Sequence, residues 1–254
     1  MGCIKLSILD EQYKTGIRLS SFAEELTPIF CAKTERRDIV VKYIDPDGKD
    51  IWEINEYGHV VNHTKDKTQD KFVMVNKGGS PTGASLTFKY GTVTGWKKQN
   101  SFRTATSFSL ATNSAGAELF KFFADNKNNF QNIEYGLITT FEKGGKGGST
   151  VMTNHKSKEV FATAFAVKMR NEGKVITSVT HNHWNNSDPS GFEAGDTGGD
   201  KFAAGALPSE VSRYVYKPDR NSLIQYDKDK IGDTKSWNDV WLPSTRKTGN
   251  TQRK

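Results

Sequence analysis

The chain has 254 residues, 35% of them hydrophobic and 11% aromatic, with a mean hydropathy of −0.65. That is polar for a globular protein but too rich in aromatics for a disordered one, and the length suits one large domain or one domain with an appendage. The formal charge of +7 and isoelectric point near 9.2 come from basic residues scattered among acids, which excludes the aromatic-interleaved basic face of a nucleic-acid binder.

No apolar run approaches the length of a membrane span, so no membrane association is expected. Cys3 and Cys31 lack CxxC spacing and suggest neither a disulfide framework nor a cysteine metal site. The start MGCIKLS has no hydrophobic signal core, and Leu6 stands where a myristoylation signal needs Ser or Thr. These features predict a protein that is cytoplasmic in the cell producing it.

Residues 1–40 show no sustained period and predict a poorly ordered or irregular segment, with Pro28 interrupting any helix over Ser20–Phe30. DPDG at 45–48 is a turn signal, since Pro pre-sets a bend and Gly is free to take positive φ. It leads into a hairpin with strands at Asp50–Asn55 and His59–Asn62. Beyond it, GGSPTG at Gly78–Gly83 predicts a connector, and Leu86–Val93 and Phe102–Leu110 alternate as strands. Residues 41–110 thus form a strand-rich extension. The DPDG and its tryptophan-bearing strand resemble the unit that ends YD/RHS-type repeats in large bacterial surface and secreted proteins, ahead of a variable C-terminal cassette.

The spacing of Leu119, Phe122 and Phe123 predicts a helix over Asn113–Asp125, with Asn113 or Ser114 as its cap. A β-type run over Ile133–Phe141 follows, with Glu134 near its start. The glycines of EKGGKGGST match no phosphate-cradling pattern and predict a hairpin connection. Val151–Asn154 predicts another strand, while EVFATAFAV at Glu159–Val167 suits a strand or a helix. Val175–Thr180 is β-type. A helix is expected from Asp200 to Ala206, a hairpin from Arg213–Lys217 and Leu223–Tyr226 around a turn at Pro218–Ser222, and a polar tail over 229–254.

The chemistry concentrates at the end of the Val175–Thr180 strand. His181 and His183 are two apart, so both imidazoles leave one face of a strand. A carboxylate returned by the following loop would complete a three-ligand zinc site with one position open, which is a catalytic arrangement. Asp200 is preferred because it opens a helix and has a hydroxyl, Thr197, three residues before it. Asp188, Asp196 and Glu193 are the competing carboxylates. Trp184 suits either a wall of the cleft or a filler of the core. His59, His63 and His155 lie in polar turns and are expected to be solvated. The string HNH is not the nuclease motif, whose residues are spread over a ββα hairpin.

This order resembles the JAB1/MPN/JAMM metalloprotease family, whose signature is an upstream Glu followed by H-x-H and S-x-x-D. His181 and His183 match the paired histidines, Thr197-Gly198-Gly199-Asp200 matches S-x-x-D with Thr in place of Ser, and Glu134 in E-Y-G-L matches the glutamate. The resemblance covers about residues 113–226. Two departures stand out: Trp184 replaces the usual Pro after the second His, and the path to Asp200 is longer than usual. Together with the RHS-like lead-in, the pattern is similar to the JAB-like toxin domains of bacterial polymorphic toxins.

The resemblance implies an α/β (α+β) fold with a mixed β-sheet flanked by helices over 111–228. It implies a zinc metallopeptidase or isopeptidase of JAMM type. Zn²⁺ would be held by His181, His183 and Asp200, lowering the pKa of a bound water towards ~7. Glu134 would act as general base, with Glu142 as the alternative, and Thr197 as oxyanion donor. It implies a protein or peptide substrate, a cognate immunity protein and delivery as an effector. The other reading is a non-catalytic binding module of the same fold that has lost its metal.

Overall fold

The computed structural model describes residues 50–65, 68–99, 105–126, 132–141, 147–157 and 160–241. Residues 1–40, Glu142 and the terminal residues from 242 lie outside the described residues. The described part is a mixed α/β fold, two β-sheets flanked by a few helices, as the resemblance implies.

The first sheet has four strands in the order β2-β1-β3-β4, with β1 Asp50–Ile54, β2 Val60–Lys65, β3 Asp70–Val75 and β4 Pro81–Phe88. Strands β1 and β2 are the hairpin expected after DPDG. Its inward residues Trp52, Ile54, Phe72 and Met74 are fully buried, and Trp52 stacks on Phe72 at 4.9 Å. The expected connector at 78–83 is shorter, because Pro81–Gly83 already belong to β4.

The second sheet carries the site. Its eight strands run β12-β11-β10-β9-β7-β8-β6-β5. They are β5 Val93–Lys97, β6 Thr106–Leu110, β7 Gly136–Phe141, β8 Ser149–Thr153, β9 Val175–Asn182, β10 Ser212–Lys217, β11 Ser222–Tyr226 and β12 Ile231–Ser236. The centre of the sheet is buried almost throughout, as a sheet covered on both faces requires. Alternate residues serve the two faces. Leu137 and Val151 join the core under α1 (Asn113–Asp125), while Ile138, Met152 and Val179 join the core under α2 (Ala162–Asn171).

Four expectations change. The stretch that suits a strand or a helix is helical from residue 162: α2 packs Ala162 and Ala166 onto the sheet. The cap of α1 is Thr112, whose Oγ1 accepts from the Ala115 amide at 3.1 Å. The strand expected over Leu86–Val93 is split between β4 and β5 by a turn at 89–92. The polar tail is not a tail up to residue 241. Ile231–Ser236 pairs with β11, and α4 (Trp237–Trp241) buries Trp237, stacked on Phe120 at 5.8 Å. An amphipathic strand of mostly exposed side chains leaves little hydrophobic signal, which is why β12 reads as polar coil.

Strand β9 is the hinge of the architecture. It is antiparallel to β7 and parallel to β10, so the chain between β9 and β10 must cross back over the sheet. That crossover holds α3 (Asp200–Ala204) and everything between the second histidine and the helix. Gly136 lets α2 sit directly on β7: a Cβ there would lie 2.6 Å from the Ala162 Cβ and 3.2 Å from Val160 Cγ2. Gly136→Ala is therefore expected to push the start of α2 off the sheet and to cost about 1–3 kcal/mol by overpacking, read as a lower midpoint in urea denaturation.

Candidate metal centre

His181 and His183 close β9, and Asn182 between them faces the other way. The alternation expected of a strand holds, and both imidazoles enter one cavity of about 910 Å³ together with Glu134, Ser190 and Asp200. All three expected ligands are buried, at 7%, 8% and 9% exposure. His181 Nε2 lies 3.1 Å from His183 Nε2 and 2.9 Å from Asp200 Oδ1, and His183 Nε2 lies 3.4 Å from Asp200 Oδ2.

This donor set fits zinc. Zinc–nitrogen bonds of about 2.0–2.1 Å put two ligand atoms of a tetrahedron about 3.3 Å apart, close to the separations observed. His183 Nδ1–H donates to the Ser187 carbonyl at 3.2 Å, with the Ser187 hydroxyl also at 2.9 Å. That leaves the Nε2 lone pair directed at the site, the tautomer a metal ligand needs. Burial alone would push the Asp200 carboxyl up, but the imidazoles of His181 and His183 outweigh it and hold the group well below the usual carboxylate range.

The long path to Asp200 is a pinched-off excursion. Its two ends meet at Ser190: the Ser190 amide donates to Asp200 Oδ2 at 2.7 Å, the Ser190 hydroxyl donates to the same oxygen at 2.9 Å, and the Lys201 amide donates to the Ser190 carbonyl at 3.1 Å. Glycines allow the neck to close. Gly199 has φ +89° and no space for a Cβ beside Ser190, and a Cβ on Gly191 would meet the Gly198 carbonyl oxygen at 2.2 Å. The extra residues leave the neck as an exposed loop and do not displace the carboxylate.

The competing carboxylates are accounted for. Asp188 pairs with the buried Lys217, while Asp196 accepts from the Glu193 amide at 2.9 Å; Asp196 and Glu193 both sit exposed in the excursion. Thr197 is also exposed there and does not line the cavity, so the oxyanion role expected of it is not supported. The hydroxyl beside Asp200 belongs to Ser190. Thr197 satisfied the linear spacing, but folding brings a residue ten positions away to the carboxylate.

Glu134 lies in the cavity at 7% exposure. Its backbone is fixed on every side: its amide donates to the Lys156 carbonyl at 2.9 Å, and its carbonyl accepts from Thr153 Oγ1 at 2.8 Å. Asn182 supplies the rest. Its amide oxygen accepts from the Tyr135 amide at 2.7 Å and its Nδ2 donates to the Ile133 carbonyl at 3.2 Å, so one side chain bridges both neighbours of Glu134. The middle residue of HNH, which reads as a spacer, thus ties the glutamate segment to the strand of the histidines.

Three further residues differ from expectation. Trp184 does not wall the cavity; its Nε1 donates to the Ser157 carbonyl at 2.6 Å and ties the loop to the segment that follows β8. His63 is not solvated but pairs with Asp50 at 3.0 Å and stacks on Trp52. His155, with φ +64°, lines the cavity, and burial pushes it down to about 4, so it is neutral near pH 7.

Residues 108–205 match the family model of JAB-like toxin 1. The match runs from β6 to the end of α3, takes in Glu134, His181, His183 and Asp200, and is consistent with a JAB-like toxin domain in this part of the chain. No curated protein and no solved structure matches the chain. Among the described residues no helix is long and apolar enough to cross a membrane.

The neck makes a specific prediction. Asp200→Asn is expected to abolish high-affinity zinc binding, Ser190→Ala to weaken it by about 10–100-fold, and Asp188→Asn and Thr197→Ala to leave it unchanged, measured by competition with a chromogenic chelator.

Proposed function

We propose that the JAB-like toxin domain is a zinc-dependent hydrolase of amide bonds in a protein or peptide, and that it acts as the effector portion of a bacterial polymorphic toxin. The observation that carries this reading is the convergence of a buried His–His–Asp donor set with a buried glutamate in one cavity. His181, His183 and Asp200 would hold the ion. When bound, zinc supplies Lewis acidity, which brings the pKa of water down towards ~7.

The chain's own groups do the proton work. Glu134 accepts a proton from the attacking water on its carboxylate oxygen and delivers it to the amide nitrogen as that nitrogen leaves. Asn182 is a positioning residue here, since its two hydrogen bonds keep the backbone on both sides of Glu134 in register with the histidines. Ser190 positions the Asp200 carboxylate. A producer of such an effector needs an immunity protein to neutralise it, and delivery into a target cell is the setting in which the activity is useful.

The decisive experiment combines metal analysis with one substitution. The purified protein should carry about one zinc per chain by plasma mass spectrometry, and proteolysis should stop on chelation and return on adding zinc. Glu134→Gln should keep its zinc and lose activity by at least about 10²-fold. A protein without affinity for zinc would instead be a binding module of the same fold, and activity persisting in Glu134→Gln would move the general base elsewhere.

A further inference from the structure

The cavity has a wall that comes from outside the family match. Tyr57, in the turn between β1 and β2, lines it together with Glu134 and the histidines. We propose that this turn is part of the catalytic cleft and that Tyr57 is its specificity-determining residue, selecting a polypeptide segment that presents a large apolar side chain. The proposal rests on the hydrolase reading above and adds the substrate class.

The backbone of the turn is locked to the groups that fix the glutamate. The Tyr57 amide donates to Asn55 Oδ1 at 3.0 Å, and the Tyr57 carbonyl accepts from His155 Nδ1–H at 2.9 Å. His155 Nε2 then accepts from the Thr106 hydroxyl at 3.1 Å, and His59 stacks on the same imidazole with ring centroids 3.7 Å apart. Next in the turn, Gly58 is buried with φ +74°, and a Cβ there would lie 2.9 Å from the Tyr135 hydroxyl and 3.2 Å from Thr153 Cγ2. Only glycine fits that approach. Tyr135 adjoins Glu134, and Thr153 donates to the Glu134 carbonyl. The turn is therefore held in a fixed position relative to the catalytic carboxylate.

The side chain of Tyr57 is the opposite case. It is half-buried at the cavity, and among the described residues neither its hydroxyl nor its ring makes a hydrogen bond or a ring contact. A fixed backbone presenting an unengaged aromatic ring to a cavity is the arrangement of a recognition residue, which loses little entropy on contact because only two side-chain torsions need ordering. Apolar lining elsewhere in the cavity comes from Ile133, from Val160 and Phe161 just before α2, from Ala162 and Ala164 in its first turn, and from Ala203 on α3. Gly136 allows that helix to sit beside the Glu134 strand. Together with the Tyr57 ring these groups give the cavity an apolar side that a Leu-, Met- or Phe-sized group of the substrate can contact.

The test uses the full chain loaded with zinc, as wild type, Tyr57→Phe and Tyr57→Ala, on a fully degenerate peptide library with cleavage sites mapped by mass spectrometry. The same library is offered to immobilised zinc-loaded Glu134→Gln, with and without Tyr57→Ala, to record which peptides are captured. Wild type and Tyr57→Phe should cut next to large apolar residues. Tyr57→Ala should lose that preference by about tenfold while its zinc affinity and thermal midpoint stay at the wild-type values, a pattern that a merely structural role would not produce. An unchanged profile in Tyr57→Ala, or a wild-type profile with no apolar preference, overturns the proposal and leaves the hydrolase reading standing. Apolar-enriched capture that depends on Tyr57, without any cleavage by wild type, removes the hydrolase reading and overturns the assignment of the turn to a catalytic cleft, leaving Tyr57 as the recognition residue of a binding module. Neither cleavage nor capture overturns both.

Discussion

The contact on which the site depends is between Ser190 and Asp200. Asp200 cannot reach the two imidazoles by the shortest route, because the chain makes an exposed excursion before it. What places the carboxylate is a neck of four hydrogen bonds that both closes the excursion and aims the oxygens. Two of these bonds converge on Asp200 Oδ2, which leaves Oδ1 for His181. A buried carboxylate between two imidazoles is tolerable only with such satisfaction, since an unpaired charge at that depth would cost several kcal/mol. The glycines at 191 and 199 are there because the backbone must pass itself at contact distance.

The sheet topology explains why the glutamate and the histidines meet. Strand β7 follows Glu134 directly and pairs antiparallel with β9, in a register that sets Gly136 opposite His181. The end of one strand and the start of its neighbour therefore coincide at one end of the central strands, and the crossover to β10 starts from that end. Asn182 strengthens the register, because its side chain occupies the backbone groups of Ile133 and Tyr135 that the ladder leaves open there. Glu134 and the histidines, far apart in sequence, thus come together on neighbouring strands.

The four-stranded sheet is joined to this arrangement through aromatic packing and the β1–β2 turn. Trp52, Phe72, Phe108 and Phe123 form one continuous core with α1, so the hairpin cannot move independently of the strands beneath it. That coupling is what gives Tyr57 a defined place in the cavity. Neutral His155 acts as the connecting piece, and its positive φ allows the imidazole to face the turn.

The HxH pair, the glutamate ahead of a β-strand, the α1 helix and the central strands were legible from sequence, because period-2 and period-3.6 patterns and two-residue spacing are local properties of the chain. So was Asp200 as the carboxylate that stands beside the two imidazoles. The reason offered for it, a hydroxyl three residues earlier, belonged to Thr197 and does not survive: linear spacing cannot register a loop that closes on itself. The same limit hid Asn182, which looks like filler until β7 lies beside it, and the β12 strand, whose exposed side chains carry no hydrophobic period. Tyr57 is the extreme case, since no local pattern connects a turn at residue 57 to histidines beyond residue 180. The sequence by itself determined which groups could do the chemistry; only the tertiary structure decided which of them meet, because convergence depends on sheet register and loop closure, and neither is written in any short stretch of the chain.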